Sequence, residues 1–178
     1  MIWLLALAVL AIALAPFLRE LILLAPAGFG RSGGRLIHII RNVPVFGGWL
    51  MHAIYPALHI RSTQAERSLP SSVPGIIDLQ QQELGYRGFI PAVLASLRGI
   101  LNEDFTEELR SLHSQGVPAL AIWGQEDAVI PPTSAGRLAE RARSVRQEEI
   151  PGAGHGLPYT NIDQVLEIIA QNHRRGLM

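Results

Sequence analysis

Two residues whose types suit acid–base chemistry lie 28 positions apart near the C-terminus of the chain. Asp127 occurs in the segment IWGQEDAVIPP, and His155 occurs in the segment IPGAGHGLPY. Each segment follows a run typical of a strand, so each polar residue is expected in the loop after that strand. A carboxylate that binds one imidazole nitrogen fixes the tautomer of the ring, and the other nitrogen then accepts a proton from a hydroxyl group. The pair predicts the acid–base half of a catalytic triad.

The elements that must position this pair are read from hydrophobic periodicity. Alternation of strands and helices predicts an α/β fold with a three-stranded parallel sheet and flanking helices, in which consecutive strands end at one crevice. We expect a core of residues 1–34 and 116–178, with a helical insertion over residues 35–115. The predicted strands span 21–25, 117–123 and 146–150. The predicted helices span about 35–60, 75–84, 87–101, 104–115, 133–142 and 162–173.

The first 18 residues, MIWLLALAVLAIALAPFL, form an apolar run without a charged side chain. Such a run is at the short limit for a membrane-spanning helix, which needs about 20 apolar residues. It lacks the basic start of a signal peptide, because Arg19 is the first basic residue. A helix buried in the core is the preferred interpretation, with a cytoplasmic protein as its consequence. A membrane anchor and a cleaved signal are the alternatives.

Composition excludes several classes of function. Fifteen basic residues balance fifteen acidic ones, so no excess of positive charge favours a nucleic-acid partner. The chain has no Cys, which excludes thiolate catalysis and Cys-ligated metal. Its six His residues do not form a metal-binding pattern, and no phosphate-binding glycine motif occurs. We therefore expect neither a metal nor another cofactor.

Several segments resemble one known family. WGQED with VIPP, and PGAGHGLP, are similar to the acid and base segments of the α/β-hydrolase superfamily. The similarity is greatest to the small-ester and carbon–carbon-bond hydrolases that carry a helical cap. LILLAPAGF resembles the strand after the nucleophile helix, and GYRGFIPAVLASLRGIL resembles the end of the cap. The resemblance implies that Asp127 and His155 are catalytic, that residues 35–115 form the cap, and that the substrate is a small apolar ester or similar acyl compound.

The nucleophile of this family lies in a G-x-S-x-G turn between a strand and a helix. In the resemblance, that turn is expected at or just before Met1, so the chain is expected to be N-terminally incomplete and weakly active or inactive alone. One literal match, Gly30–Gly34 with Ser32 at its centre, lies instead where the chain enters the cap. We interpret Ser32 as a loop residue, with a role as nucleophile as the alternative.

Other uses of the chain stay open at this stage. A non-catalytic module that binds a ligand under the cap and a membrane-anchored protein are the two alternatives to an enzyme. Strand 21–25 is expected to be an open apolar edge that favours self-association. An apolar substrate pocket is a further hypothesis, although packing within the cap is the simpler interpretation of its residues. The candidate pocket residues are Trp49, Tyr55, Tyr86, Phe89 and Leu94.

Overall fold

The computed structural model describes residues 17–27, 34–131 and 133–174. The chain divides into two compact units, one of residues Met1–Gly30 with Glu103–Met178 and one of residues Arg31–Asn102. The predicted core–cap boundary lies between residues 115 and 116, whereas the first unit resumes at Glu103. Ser32 and most of the apolar run Met1–Leu18 lie outside the described residues.

Three strands and eight helices form the described part of the chain. The strands are β1 (Leu21–Leu24), β2 (Ala119–Gly124) and β3 (Arg146–Ile150). The helices of the second unit are α1 (Arg35–Asn42), α2 (Pro44–Ala65), α3 (Ile76–Gln82) and α4 (Phe89–Arg98). The helices of the first unit are α5 (Thr106–Ser114), α6 (Thr133–Arg141), α7 (Leu157–Thr160) and α8 (Ile162–Arg174).

The sheet has the strand order β1-β2-β3, and both strand pairs are parallel. Leu21 pairs with Ala119 at one side of β2, and Leu120 pairs with Arg146 at the other. Every residue of the central strand β2 is buried. The predicted α/β class and the three-stranded parallel sheet are therefore confirmed, with strand ends that shift by one or two residues.

Side chains of β2 alternate between two apolar clusters, one on each face of the sheet. Ala119, Ala121 and Trp123 pack with residues of α5 and α6, including Leu109 and Leu138. On the other face, Leu120 and Ile122 pack with residues of α7 and α8. The first unit therefore has three layers, with the sheet between two layers of helices.

The described part of the second unit consists of helices. Its long helix α2 begins at Pro44. The predicted helix over 35–60 is in fact two helices, because the residue before a proline disfavours helical geometry and Val43 is extended. At Gly47 a Cβ atom would lie only 2.5 Å from the Ile40 carbonyl oxygen, so a glycine allows α1 and α2 to meet closely. Arg98 donates hydrogen bonds to the carbonyl oxygens of Ile40 (3.0 Å) and Pro44 (2.8 Å), which ties α4 to this corner.

Two observations concern the membrane and partner hypotheses. Among the described residues, no helix combines the length and the apolar character needed to cross a membrane. Within the same residues, β1 pairs with β2 on one side only, so its other side is an edge of the sheet. Self-association through this edge stays a prediction.

Candidate active site

Asp127 and His155 follow neighbouring parallel strands at the same end of the sheet. Asp127 is the third residue after β2, and His155 is the fifth residue after β3. In open parallel sheets, the loops beyond the carboxyl ends of the strands are where ligands bind. Both predicted residues therefore lie where chemistry is expected in this architecture.

Backbone contacts hold the two loops against each other. The N–H of Gln125 donates to the carbonyl of Ile150 (3.2 Å), and the N–H of Glu126 donates to the carbonyl of Ala153 (2.9 Å). A Cβ atom on Gly124 would lie 2.4 Å from the Ala153 carbonyl oxygen, which is closer than real Cβ contacts. Glycine at the end of β2 is therefore required for this approach, which brings the acid loop to the base loop.

The Asp127 carboxylate is held through both of its oxygen atoms. Oδ1 accepts hydrogen bonds from the backbone N–H groups of Val129 and Ile130, each 2.7 Å long. Oδ2 lies 2.9 Å from Nδ1 of His155. Since the turn that follows Asp127 supplies two donors to one oxygen, the other oxygen is fixed in its direction toward the imidazole ring.

The charge of Asp127 decides which imidazole nitrogen carries the proton. Burial raises the pKa of Asp127, but the hydrogen bonds from His155, Ile130 and Val129, together with the positive charge available on His155, outweigh burial and leave that pKa below its usual value. The carboxylate is therefore ionised at neutral pH and accepts hydrogen bonds only. Because Oδ2 cannot donate, Nδ1 of His155 carries a proton and donates it to Asp127.

The acid and the base differ in their exposure to solvent. The side chain of Asp127 is 1% exposed, whereas the side chain of His155 is 44% exposed. The geometry thus combines a sheltered carboxylate with an accessible imidazole whose tautomer is fixed. Chemically, this arrangement presents Nε2 as the ring atom that can take up a proton from a reacting group.

The candidate pocket residues of the second unit differ in their surroundings. Tyr55 and Phe89 are in aromatic contact, with ring centroids 6.2 Å apart, and both also contact His59. Burial, with a smaller contribution from the negative charge of Glu83, raises the pKa of Tyr55. Trp49 and Tyr86 are 64% and 70% exposed. The apolar substrate pocket therefore stays a hypothesis, and Tyr55 and Phe89 pack as part of the helical unit.

Comparison with solved structures shows which fold this is. A thermophilic esterase from Thermogutta terrifontis matches 88% of the chain with a TM-score of 0.58 at 22% identity. A bromoperoxidase from Bacillus anthracis matches 91% with a TM-score of 0.60 at 17% identity. A meta-cleavage product hydrolase from Pseudomonas fluorescens matches 92% with a TM-score of 0.54 at 16% identity. The chain has an α/β-hydrolase fold.

The chain spans 56–62% of the length of those three proteins. It corresponds to the C-terminal part of the fold, as the strand and loop segments predict. At these levels of identity the likeness concerns the fold alone. No protein-family model and no curated protein matches the sequence.

Several residues of this candidate site were not found from the sequence. Val129 and Ile130 contribute only backbone N–H groups, and such groups leave no signal in residue type. The short helix α7, which begins two residues after His155, was also missed, although Pro158 in its first turn is typical of a helix start. Glycine at the end of an apolar strand, as at Gly124, is the one signal that indicates a close approach of two backbones.

Proposed function

We propose that the chain supplies the acid and base of a serine hydrolase that acts on a carboxylic ester or a similar acyl compound. The observation that carries the proposal is the 2.9 Å contact between Nδ1 of His155 and Oδ2 of the ionised, buried Asp127. A carboxylate in a surface loop without a function would be exposed to water. A carboxylate that orients a catalytic base is instead buried and held in one direction, as Asp127 is by the two backbone donors.

The proposed reaction proceeds in two stages. A serine Oγ attacks the carbonyl carbon of the ester while its proton moves to Nε2 of His155, and Asp127 stabilises the imidazolium that forms. The carbon–oxygen bond to the alcohol then breaks, and the alcohol oxygen takes the proton back from Nε2. In the second stage water attacks the carbonyl carbon of the acyl-serine while one of its protons moves to Nε2. The bond between that carbon and Oγ then breaks, Oγ takes the proton from Nε2, and the acid is released.

Two sources of the serine remain open. Ser32 lies in the sequence GRSGG, outside the described residues. The other source is a serine in a polypeptide segment that adds the nucleophile turn to this part of the fold. With the second source, the chain alone has little or no esterase activity.

A reactive fluorophosphonate probe distinguishes the two sources. The purified chain is incubated with the probe, and any labelled peptide is located by mass spectrometry. Labelling at Ser32 that is lost in Ser32→Ala and His155→Ala identifies a self-sufficient hydrolase. The matched control is His113→Ala, which removes an exposed histidine from α5 and should leave labelling unchanged.

If the folded chain is not labelled, the nucleophile is assigned to the separate polypeptide segment that adds the nucleophile turn. The test of the acid–base pair is then made after that segment has been added. Labelling of the reconstituted protein should fall strongly in His155→Ala and stay unchanged in His113→Ala. Equal labelling of all variants would contradict the role proposed for His155.

A further inference from the structure

The outer edge of β3 has no partner strand among the described residues. The strand order is β1-β2-β3, so β3 pairs with β2 on one side only. An unpaired edge presents a row of backbone N–H and C=O groups to which another strand can bind. The sequence of β3 is RQEEI, whereas that of β1, the strand at the opposite edge, is LILL. A strand that binds beside β3 must therefore match charges as well as backbone groups.

One hydrogen bond shows which backbone groups of β3 face the open edge. The carbonyl oxygen of Ile150 accepts from the N–H of Gln125, the residue after β2, so the backbone groups of Ile150 face β2. Backbone groups of successive residues in a strand point to alternate edges. Gln147 and Glu149 therefore direct their N–H and C=O groups to the open edge. No residue in the described part of the chain binds these groups there.

The side chains of Arg146 and Glu148 form an ion pair that leaves one donor and one acceptor unused. Nε and Nη2 of Arg146 both donate to Oε1 of Glu148, at 3.2 and 3.0 Å. No described residue binds Nη1 of Arg146 or Oε2 of Glu148. The two side chains are 33% and 37% exposed, so both reach solvent. Because residues two apart share one face of a strand, the two charges lie side by side.

We propose that two copies of the chain pair through their β3 strands, antiparallel to each other, with Gln147 of one copy opposite Gln147 of the other. A strand that pairs with itself in this way has a two-fold axis at its central pair. Each Gln147 N–H donates to the Gln147 carbonyl of the other copy, as in the hydrogen-bonded pairs of an antiparallel ladder. The sheets of the two copies then form one continuous sheet.

This register places opposite charges next to each other. Arg146 and Glu148 are each one residue from the axis, so Arg146 of one copy lies opposite Glu148 of the other. Directly opposite residues of antiparallel strands have Cβ atoms about 4.5–5.5 Å apart, within reach of the unused Nη1 and Oε2. The dimer thus joins two existing ion pairs into one cluster of alternating charges.

The same charges oppose the neighbouring register. A shift that pairs Gln147 with Glu149 also aligns the outward backbone groups, but it places Glu148 opposite Glu148 of the other copy. Like charges directly opposite each other destabilise a strand pair. An unrelated strand would need a glutamate and an arginine at the two matching positions, whereas a second copy supplies both by symmetry. The edge of β3 therefore favours a second copy of the chain in one register.

The proposed dimer does not depend on the proposed hydrolase activity, and it differs from association through β1. Its residues all belong to the first unit, and β1 lies at the opposite edge of the sheet. The pairing strand has five residues. Since stable interfaces bury about 1,600 Å² in total, a contact through one short strand should give a reversible dimer whose population rises with protein concentration.

Analytical ultracentrifugation over a range of concentrations tests the pairing. It is applied to the unchanged chain and to Leu24→Arg, which opposes association through β1 and leaves β3 unchanged. We expect a monomer–dimer equilibrium in both. Added to Leu24→Arg, Glu148→Arg should weaken dimerisation about tenfold or more, because Arg146 then lies opposite an arginine. The matched control is Glu140→Arg, which makes the same change of charge at an exposed position of α6 and should leave the equilibrium unchanged.

An exchange of the two charges tests the register. Arg146→Glu should weaken the dimer as Glu148→Arg does. The double variant should restore it, because the charges are again opposite both within the strand and between copies. A mixture of the two single variants should form a heterodimer, since each supplies the charges that the other lacks. Circular dichroism of each variant establishes that it is folded.

Three results would overturn the proposal. A chain that is monomeric at high concentration in Leu24→Arg has no dimer contact at β3. A dimer that Glu148→Arg does not weaken lies on another surface. A double variant that dimerises as weakly as the single variants rejects the register in which Gln147 lies opposite Gln147.

Discussion

Gly124 lies so close to Ala153 that a Cβ atom on Gly124 would meet the Ala153 carbonyl oxygen at 2.4 Å. Both contact atoms on the Ala153 side belong to the backbone, so neither can move aside as a flexible side chain does. We expect Gly124→Ala to lower the free energy of unfolding by about 1–3 kcal/mol or more, as overpacking does. Urea unfolding followed by circular dichroism measures the change.

Gly136→Ala is the matched control for Gly124→Ala. Gly136 is exposed in α6, and apart from its chain neighbours and the backbone of its own helix no atom lies within 4 Å of the position of its Cβ. Alanine should therefore raise the free energy of unfolding by about 0.5–1 kcal/mol through helix propensity. Equal changes in the free energy of unfolding for the two variants would show that the close approach of Gly124 to Ala153 does not cause the loss of stability.

The stability of the first unit should depend on pH through Asp127. Its pKa is lower in the folded chain than the usual value of about 3.9, so ionised Asp127 stabilises the fold. This contribution is complete above the unfolded pKa and is lost as pH falls through the lower folded pKa. Asp127→Asn should therefore cost about 2 kcal/mol at pH 7, and the difference should shrink below about pH 4. Unfolding at several pH values measures it.

Glu126→Gln provides the comparison for Asp127→Asn. Glu126 is the preceding residue and is exposed. Its substitution should change the free energy of unfolding by less than about 0.5 kcal/mol. A pH-independent difference between Asp127→Asn and the unchanged chain would contradict the assignment of a stabilising carboxylate.

The tautomer of His155 should change in Asp127→Asn. In the unchanged chain Nδ1 donates to the Asp127 carboxylate, whereas an asparagine amide group at the Oδ2 position donates in return and requires Nδ1 as an acceptor. The proton of neutral His155 is then on Nε2, where it blocks uptake of a proton from a hydroxyl. Long-range nitrogen–proton NMR correlations distinguish the two tautomers. An unchanged tautomer would contradict the donor role of Nδ1.

Arg98 should stabilise the corner between α1 and α2. Its guanidinium donates to carbonyl oxygens of Ile40 and Pro44, and a lysine ammonium lacks the planar donors that reach both. We expect Arg98→Lys to lower stability by about 1–3 kcal/mol and to speed amide hydrogen exchange in α1 and α2. Arg87→Lys, at an exposed position before α4, should leave exchange unchanged.

Self-association through β1 is tested at Leu24. This side chain is 36% exposed at the edge of the sheet, and an arginine at a strand edge opposes pairing with another strand. Leu24→Arg should shift the chain toward monomer in analytical ultracentrifugation. The control, Leu166→Arg, places the same charge on α8. A monomeric unchanged chain at high concentration would contradict the prediction.

The sequence by itself determined the strands, the parallel sheet and the pair Asp127 and His155. Continuous apolar runs bounded by Pro and Gly encode strands that are buried on both faces, as for β2. Residue order then placed both polar residues after consecutive strands. These features are local, so hydrophobic pattern and residue type are sufficient to predict them.

Only the tertiary structure decided how the pair is held and what α2 exposes. The N–H groups of Val129 and Ile130 have no residue-type signature, and the approach of Gly124 to Ala153 depends on residues distant in sequence. Helix α2 is apolar on all sides, so periodicity cannot indicate which side faces water. Burial and backbone contacts arise from the packing of whole elements, and that packing alone selects the exposed face and the hydrogen-bond partners.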